Sequence, residues 1–300
     1  MKKRGIVLVL LTAIISGFSI FINKFGVSGM NPYVFTFLKN SVVAVLLVSI
    51  IVLAFQFKHF KKLKRNDWFK LGLIGLLGGS IPFLLFFKGL QLTSGATGAF
   101  VHKTMFIFAA ILALTFLKEK LNKTVIIAAV LLLIGNFLLL NLTSFSFGVG
   151  EGLILLATVF WAGEFTLSKH VLKELPSNVV AFGRMFFGSL FILAFLGITG
   201  EVSAIGSISL AQFGWVLVTS IFLLFYVLTW YGGLKHVKVS TATSILLLGS
   251  PITTLLSIVF LDAVVSFTQV LGVSFISLGV FLIVYFSEAI STAYPKCIKT

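Results

Sequence analysis

Acidic side chains are scarce. Eight Asp and Glu stand against 23 Lys and Arg in 300 residues, and charged residues of both signs make up 10% of the chain. No paired-carboxylate arrangement, P-loop, HExxH or GxSxG run is present, so hydrolytic and nucleotide-driven chemistry have no visible carrier and no enzyme is expected. Cysteine is nearly absent: the one copy, Cys297, permits no intrachain disulfide and no CxxC metal or redox site, and no cofactor is expected.

Apolar residues fill the space that charge leaves. They account for 59% of the chain, with a mean hydropathy of +1.15, beyond what a water-soluble core absorbs. The 34 phenylalanines and 27 glycines suit helices that turn bulky groups to lipid and small ones to each other. Ten apolar stretches follow from the pattern: Gly5 to Val27, Pro32 to Phe55, Trp68 to Leu90, Gly95 to Leu117, Lys123 to Leu140, Gly148 to Leu172, Val179 to Thr199, Ala211 to Leu234, Ser240 to Leu261 and Thr268 to Ser287. Each is long enough at about 1.5 Å per residue to cross about 30 Å of hydrocarbon. The first follows a basic start, Lys2-Lys3-Arg4, but is longer than a cleavable signal and reads as a retained helix.

The net charge of +15 would suit nucleic-acid binding in a soluble chain. Here the basic residues cluster in alternate loops, around 2–4, 58–70, 118–123, 169–173 and 235–238, while the opposite loops are nearly free of them. The positive-inside rule then places both termini in the cytoplasm of a multi-pass protein of the cell membrane, with the bilayer and not nucleic acid as partner.

Residues recur at a spacing of about 144, as transporter halves do. Gly89-Leu90 returns as Gly233-Leu234, Phe116-Leu117 as Phe260-Leu261, and Gly135 as Gly279; with one residue more, Lys24 meets Lys169 and Lys39 meets Arg184. Five helices per half is an odd number, so the second half enters the membrane with opposite polarity. The expected fold is an all-α integral membrane protein of ten transmembrane helices in two inverted five-helix repeats, 1–141 and 148–290, with a cytoplasmic tail at 291–300.

Several short motifs point the same way. Phe160-Trp161-Ala162 resembles the aromatic-Trp-Ala run of the EamA-type members of the drug/metabolite transporter superfamily. Phe116-Leu117-Lys118-Glu119-Lys120-Leu121 is similar to that family's Leu-x-Glu-x-Leu pattern, Lys39 and Arg184 fall where it commonly has Arg, and Pro251 matches a proline in helix nine. The sequence departs from the family at Ala263, which pairs with Glu119 and has Asp262 beside it, at Ile107 in place of a proline, and at Glu164, where an uncharged residue is usual. The resemblance implies a small-molecule carrier whose helices one, three, four, six, eight and nine surround a central path.

Ionisable groups at membrane depth are the default functional candidates, because a lipid-facing charge is costly. His102 and Lys103 lie in helix four and Glu164 in helix six. Lys103 and Glu164 are expected either to bind the charged ends of a substrate such as an amino acid, with Glu164 able to link transport to protons, or to pair as a structural lock between halves. His102 is either a proton relay or a satisfied lone histidine. Lys39 and Arg184 are read as stabilising the fold through backbone carbonyls or headgroups. Trp161, Tyr226, Trp230 and Tyr231 offer flat surfaces with polar tips, suited to a substrate wall or equally to an interfacial belt or packing. Pro82 and Pro251 are expected to break helices three and nine near mid-membrane. The leading reading is a secondary transporter, exporting a small polar metabolite such as an amino acid by alternating access. An organic-anion or sugar-phosphate carrier of the same fold, and a non-transporting scaffold or receptor, stand as alternatives; oligomeric state is left open.

Overall fold

The computed structural model describes residues 2–27, 29–54, 58–93, 95–119, 123–140, 147–261 and 266–292. Lys120, Leu121, Asp262, Ala263 and most of the expected tail lie outside the described residues. Those described form helices and turns with no strand among them. In the first half come α1 (Lys2–Gly26), α2 (Pro32–Leu53), a short α3 (Lys58–Lys61) and α4 (Arg65–Ile74). A π-helical turn, Gly75–Ser80, carries α4 into α5 (Ile81–Leu92). Next are α6 (Gly95–Lys103), α7 (Met105–Phe116) and α8 (Lys123–Leu140). The second half holds α9 (Val149–Val171), α10 (Ser177–Thr199), a 3-10 turn at Glu201–Ile205, and α11 (Leu210–Leu234). It closes with α12 (Val239–Ile245), a 3-10 turn Leu246–Leu248, α13 (Gly249–Leu261) and α14 (Phe267–Thr292).

Eight helical segments are long and apolar enough to cross a membrane, and Phe100–Phe116 and Ile126–Leu139 are shorter apolar helices. Large side chains point outward in a way water would penalise and lipid accepts: Ile198 and Leu210 are each 88% exposed, Phe116 74%. Helix starts obey ordinary capping chemistry. Asn31 Oδ1 accepts the Tyr33 and Val34 amides ahead of α2, with Pro32 in the first turn, and Ser209 and Gln212 form a capping box at α11. At the far end of α10, Gly200 takes φ 77°, a left-handed cap that a side chain would strain.

The segments expected as single helices three, four and nine are each interrupted, for identifiable reasons. Pro82 has no N–H to return to Gly78 O and its ring crowds that carbonyl, so the backbone before it widens and the Ile81 amide reaches Leu76 O. Pro251 has the same relation to Leu247 O, and Leu246–Leu248 tightens into a 3-10 turn before it. Helix four has no proline at its break: Thr104 Oγ1 donates to Val101 O at 2.6 Å while the Thr104 amide bonds the same carbonyl at 3.2 Å, and the α-helical ladder lapses there.

Packing pairs the two halves. α1 lies on α11 and α13, α9 on α5 and α7, α2 on α10, and α8 on α14. Glycines set the closest crossings. A Cβ on Gly233 would stand 3.0 Å from Gly5 O and 2.6 Å from Val9 Cγ2, and a Cβ on Gly150 3.0 Å from Gly89 O. Between α8 and α14 a Cβ on Gly272 would meet Leu139 N at 2.5 Å, and one on Gly135 the Gly272 carbonyl at 2.8 Å. Backbones therefore touch where the sequence repeat places small residues.

Candidate functional site

Glu164 is fully buried on α9. One of its oxygens, Oε1, accepts the Tyr231 hydroxyl from α11 at 2.7 Å and the Ser168 hydroxyl one turn along α9 at 2.5 Å. The other, Oε2, faces Arg184 Nε of α10 at 3.9 Å, close enough for an ion pair and too far for a hydrogen bond. Its stem rests on the π-helical turn, where a Cβ on Gly78 would lie 2.4 Å from Glu164 Cγ.

That turn supplies the next layer. The Gly78 carbonyl, released by Pro82, accepts both Trp161 Nε1–H at 3.0 Å and Arg184 Nη2–H at 3.2 Å. Asn40 Nδ2–H of α2 reaches the Gly79 carbonyl at 2.9 Å. Three spanning segments, α2, α9 and α10, are thus tied to one irregular piece of backbone, which satisfies carbonyls that hydrocarbon would leave bare. Sequence reasoning gave Glu164 the wrong partner. The expected Lys103–Glu164 pair is replaced by Arg184–Glu164, because α10 packs on the π-helical turn and brings the guanidinium to the carboxylate. Lys39 also finds a side chain instead of a helix-end carbonyl: its Nζ donates to Asn23 Oδ1 at 2.7 Å and lies 4.9 Å from the centre of the Phe35 ring.

Beyond Trp161 lies a cavity of about 50 Å³. His102 and Lys103 line it from the break in helix four, Leu246 and Leu247 from the break in helix nine, and Tyr226 from α11. His102 stands edge-on to Trp161, ring centroids 4.9 Å apart, and to Phe86 at 5.2 Å. Trp161 consequently has two contacts of different kind, its indole N–H on the π-helical turn and its ring on the cavity histidine. Lys103 has no ion-pair or hydrogen-bond partner among the described residues. Trp230 is fully buried behind Tyr226, stacked on it at 6.4 Å and against Phe165 at 4.5 Å, and does not line the cavity.

The profile of the EamA-like transporter family matches residues 3–141 and again 148–285. The chain belongs to that family. It is therefore a multi-pass membrane transporter and not an enzyme, with a small molecule as its cargo. Its relatives include an uncharacterized transporter of Clostridium kluyveri, 26% identical with 92% of each chain covered. An uncharacterized transporter of Archaeoglobus fulgidus is 25% identical, covering 94% of this chain and 99% of the other. A riboflavin transporter of Fusobacterium nucleatum is 27% identical over 80% of this chain and 84% of its own. One solved crystal structure shares the fold with a TM-score of 0.81 and 16% identity, covering 95% of this chain and 99% of that one.

The EamA-like pattern around Glu119 has a physical role. Lys118 adopts φ 53°, turning the chain so that the Glu119 carboxylate accepts the Val239 amide at 2.8 Å and the Ser240 hydroxyl at 2.6 Å. A residue of the first half therefore caps the first turn of α12 in the second. Beside it, Lys169 Nζ–H donates to the Leu234, Lys235 and Val237 carbonyls, at 2.6, 3.2 and 2.7 Å, which closes the end of α11. Glu119 was legible as a motif; the partners that Arg184, Tyr231 and Lys169 take were not, since nothing in their local sequence says which helix they face.

Proposed function

We propose that this EamA-like protein is a secondary transporter that carries a small polar metabolite by alternating access, built as ten membrane-spanning helices in two inverted five-helix repeats. The observation that carries the reading is the cavity itself. The two helix breaks line it, His102 to Phe106 in one half and Thr243 to Leu247 in the other, with α1 and α11 completing the wall; His102 and Lys103 shifted by about 144 residues fall on Leu246 and Leu247, so equivalent breaks of the two halves meet there. The glycine crossings agree: Gly5 meets Gly233 as Gly150 meets Gly89. In this reading Lys103, His102 and Tyr226 form the substrate wall, backed by Trp161, while Glu164 and Arg184 form the strut that the halves rock against. Trp230 supports Tyr226.

A cavity of about 50 Å³ holds a few waters, whereas ligand pockets for drug-sized compounds run to several hundred, so loading requires the breaks to move. Both termini lie in the cytoplasm of a cell-membrane protein, the domains being 1–141 and 148–290. Two measurements test this. Purified chain in proteoliposomes should catalyse uptake and counterflow for one of a panel of amino acids, organic acids, sugar phosphates, nucleosides and riboflavin, the last because one relative carries that name. In intact cells Cys297 should resist a membrane-impermeant maleimide until the membrane is permeabilised, as should a cysteine placed at Lys3 in a Cys297→Ser background. Labelling of the two ends on opposite faces sinks the ten-helix inverted arrangement.

A further inference from the structure

We infer, resting on the carrier reading above, that the cavity takes small organic monoanions, with a carboxylate against Lys103 and an apolar body against Phe106, Tyr226 and Leu247. The argument is one of charge accounting. No acidic side chain lines the cavity, and among its lining residues Lys103 is the cation that lacks a protein counter-charge. Five other carboxylates are engaged elsewhere. Asp67 accepts the Lys64 amide, Glu119 caps α12, Glu151 accepts the Thr93 hydroxyl, Glu174 pairs with Lys70, and Glu201 accepts from Asn31. Glu164 does not line the cavity and is held by Arg184, Tyr231 and Ser168.

A zwitterion would bring an ammonium group into a wall with no anion to receive it. A dianion such as a phosphate monoester would face a single ammonium, since Arg184 does not line the cavity and its guanidinium faces Glu164. A monocarboxylate meets one positive charge with one negative. The Ser16 and Thr243 hydroxyls stand in the same wall, and Ile20, Met105 and the leucines of the helix-nine break suit an apolar remainder.

The test uses probes of one shape and different charge: benzoate, benzamide, benzylamine and phenylalanine, together with short-chain monocarboxylates. The purified full chain is assayed by thermal shift in detergent and by radiolabelled uptake into proteoliposomes. Monocarboxylates should stabilise and be taken up, and the neutral and cationic probes should not. Lys103→Met should lower carboxylate uptake by about 30-fold or more, with Lys103→Arg retaining the anion preference and gel filtration showing that both variants fold. Preferred uptake of phenylalanine or benzylamine, or an anion preference that survives Lys103→Met, overturns the charge assignment and leaves the carrier standing. If no probe gives protein-dependent uptake or thermal shift, the assignment fails, and uptake of any member of the wider panel above then shows that the carrier reading survives it.

Discussion

Glu164 and Arg184 meet in a site from which solvent is nearly excluded. Breaking a buried pair leaves an uncompensated ion, and Arg184→Met should cost about 3–5 kcal/mol of stability, measured as thermal or denaturant unfolding of the purified protein. Glu164→Gln keeps partners for Tyr231 and Ser168 but strands the guanidinium. The double variant should therefore lose less than the two single losses added together; strict additivity would show that the pair is not coupled. Outside the membrane, His236 gives a pH dependence. Burial first, and then Lys235, Lys169 and Arg4, hold its imidazole below the usual histidine range. Because the folded state resists the proton that the unfolded chain accepts, the His236 contribution is intact above the unfolded value near pH 6.5 and is lost as pH falls below it. Unfolding curves from pH 8 to pH 5 should show a smaller loss for His236→Gln than for the parent; parallel losses would remove the histidine from the account.

At the scale of helices, close crossings and breaks divide the labour. Gly150→Leu should disrupt the α5–α9 contact, where even a methyl group would press on the Gly89 carbonyl, at a cost of about 1–3 kcal/mol or more. Gly214→Ala is the control: nothing lies within 4 Å of its position, and replacing a glycine inside a helix adds up to about 1 kcal/mol of helix propensity. Melting temperatures that fell equally for both would mean that the crossings do not depend on glycine. The helices themselves were largely legible, because a run of apolar residues long enough to span hydrocarbon leaves few alternatives; α8 covers Lys123–Leu140 as expected, and α11 begins one residue before its expected start. Two of three breaks were announced by Pro82 and Pro251. The third was not, since Thr104 interrupts helix four through a side-chain bond to Val101 O that an ordinary apolar stretch gives no reason to expect.

Across the whole molecule, Glu119 ties the halves at one end, and the proposed alternating access requires that tie to be released once per cycle. Losing a helix cap costs about 1 kcal/mol, which is about a five-fold change in an equilibrium. Glu119→Ala should therefore raise the rate at which a cysteine at Thr241 is labelled, in a Cys297→Ser background, by about that factor. An unchanged rate would place the opening elsewhere. Composition determined the solvent and the class of fold, because 59% apolar residues in an all-helical chain require lipid, and the recurrence at about 144 residues announced the two-part organisation. The family motifs added the kind of protein. Which ions meet was decided only in three dimensions. A linear reading made Arg184 a stabilising cation and Lys103 the neighbour of Glu164, and the crossing of α10 over the π-helical turn gives the carboxylate to Arg184 and leaves Lys103 facing the cavity. Helix packing fixes rotation about each axis, and rotation, which hydropathy does not encode, determines what a buried charge sees.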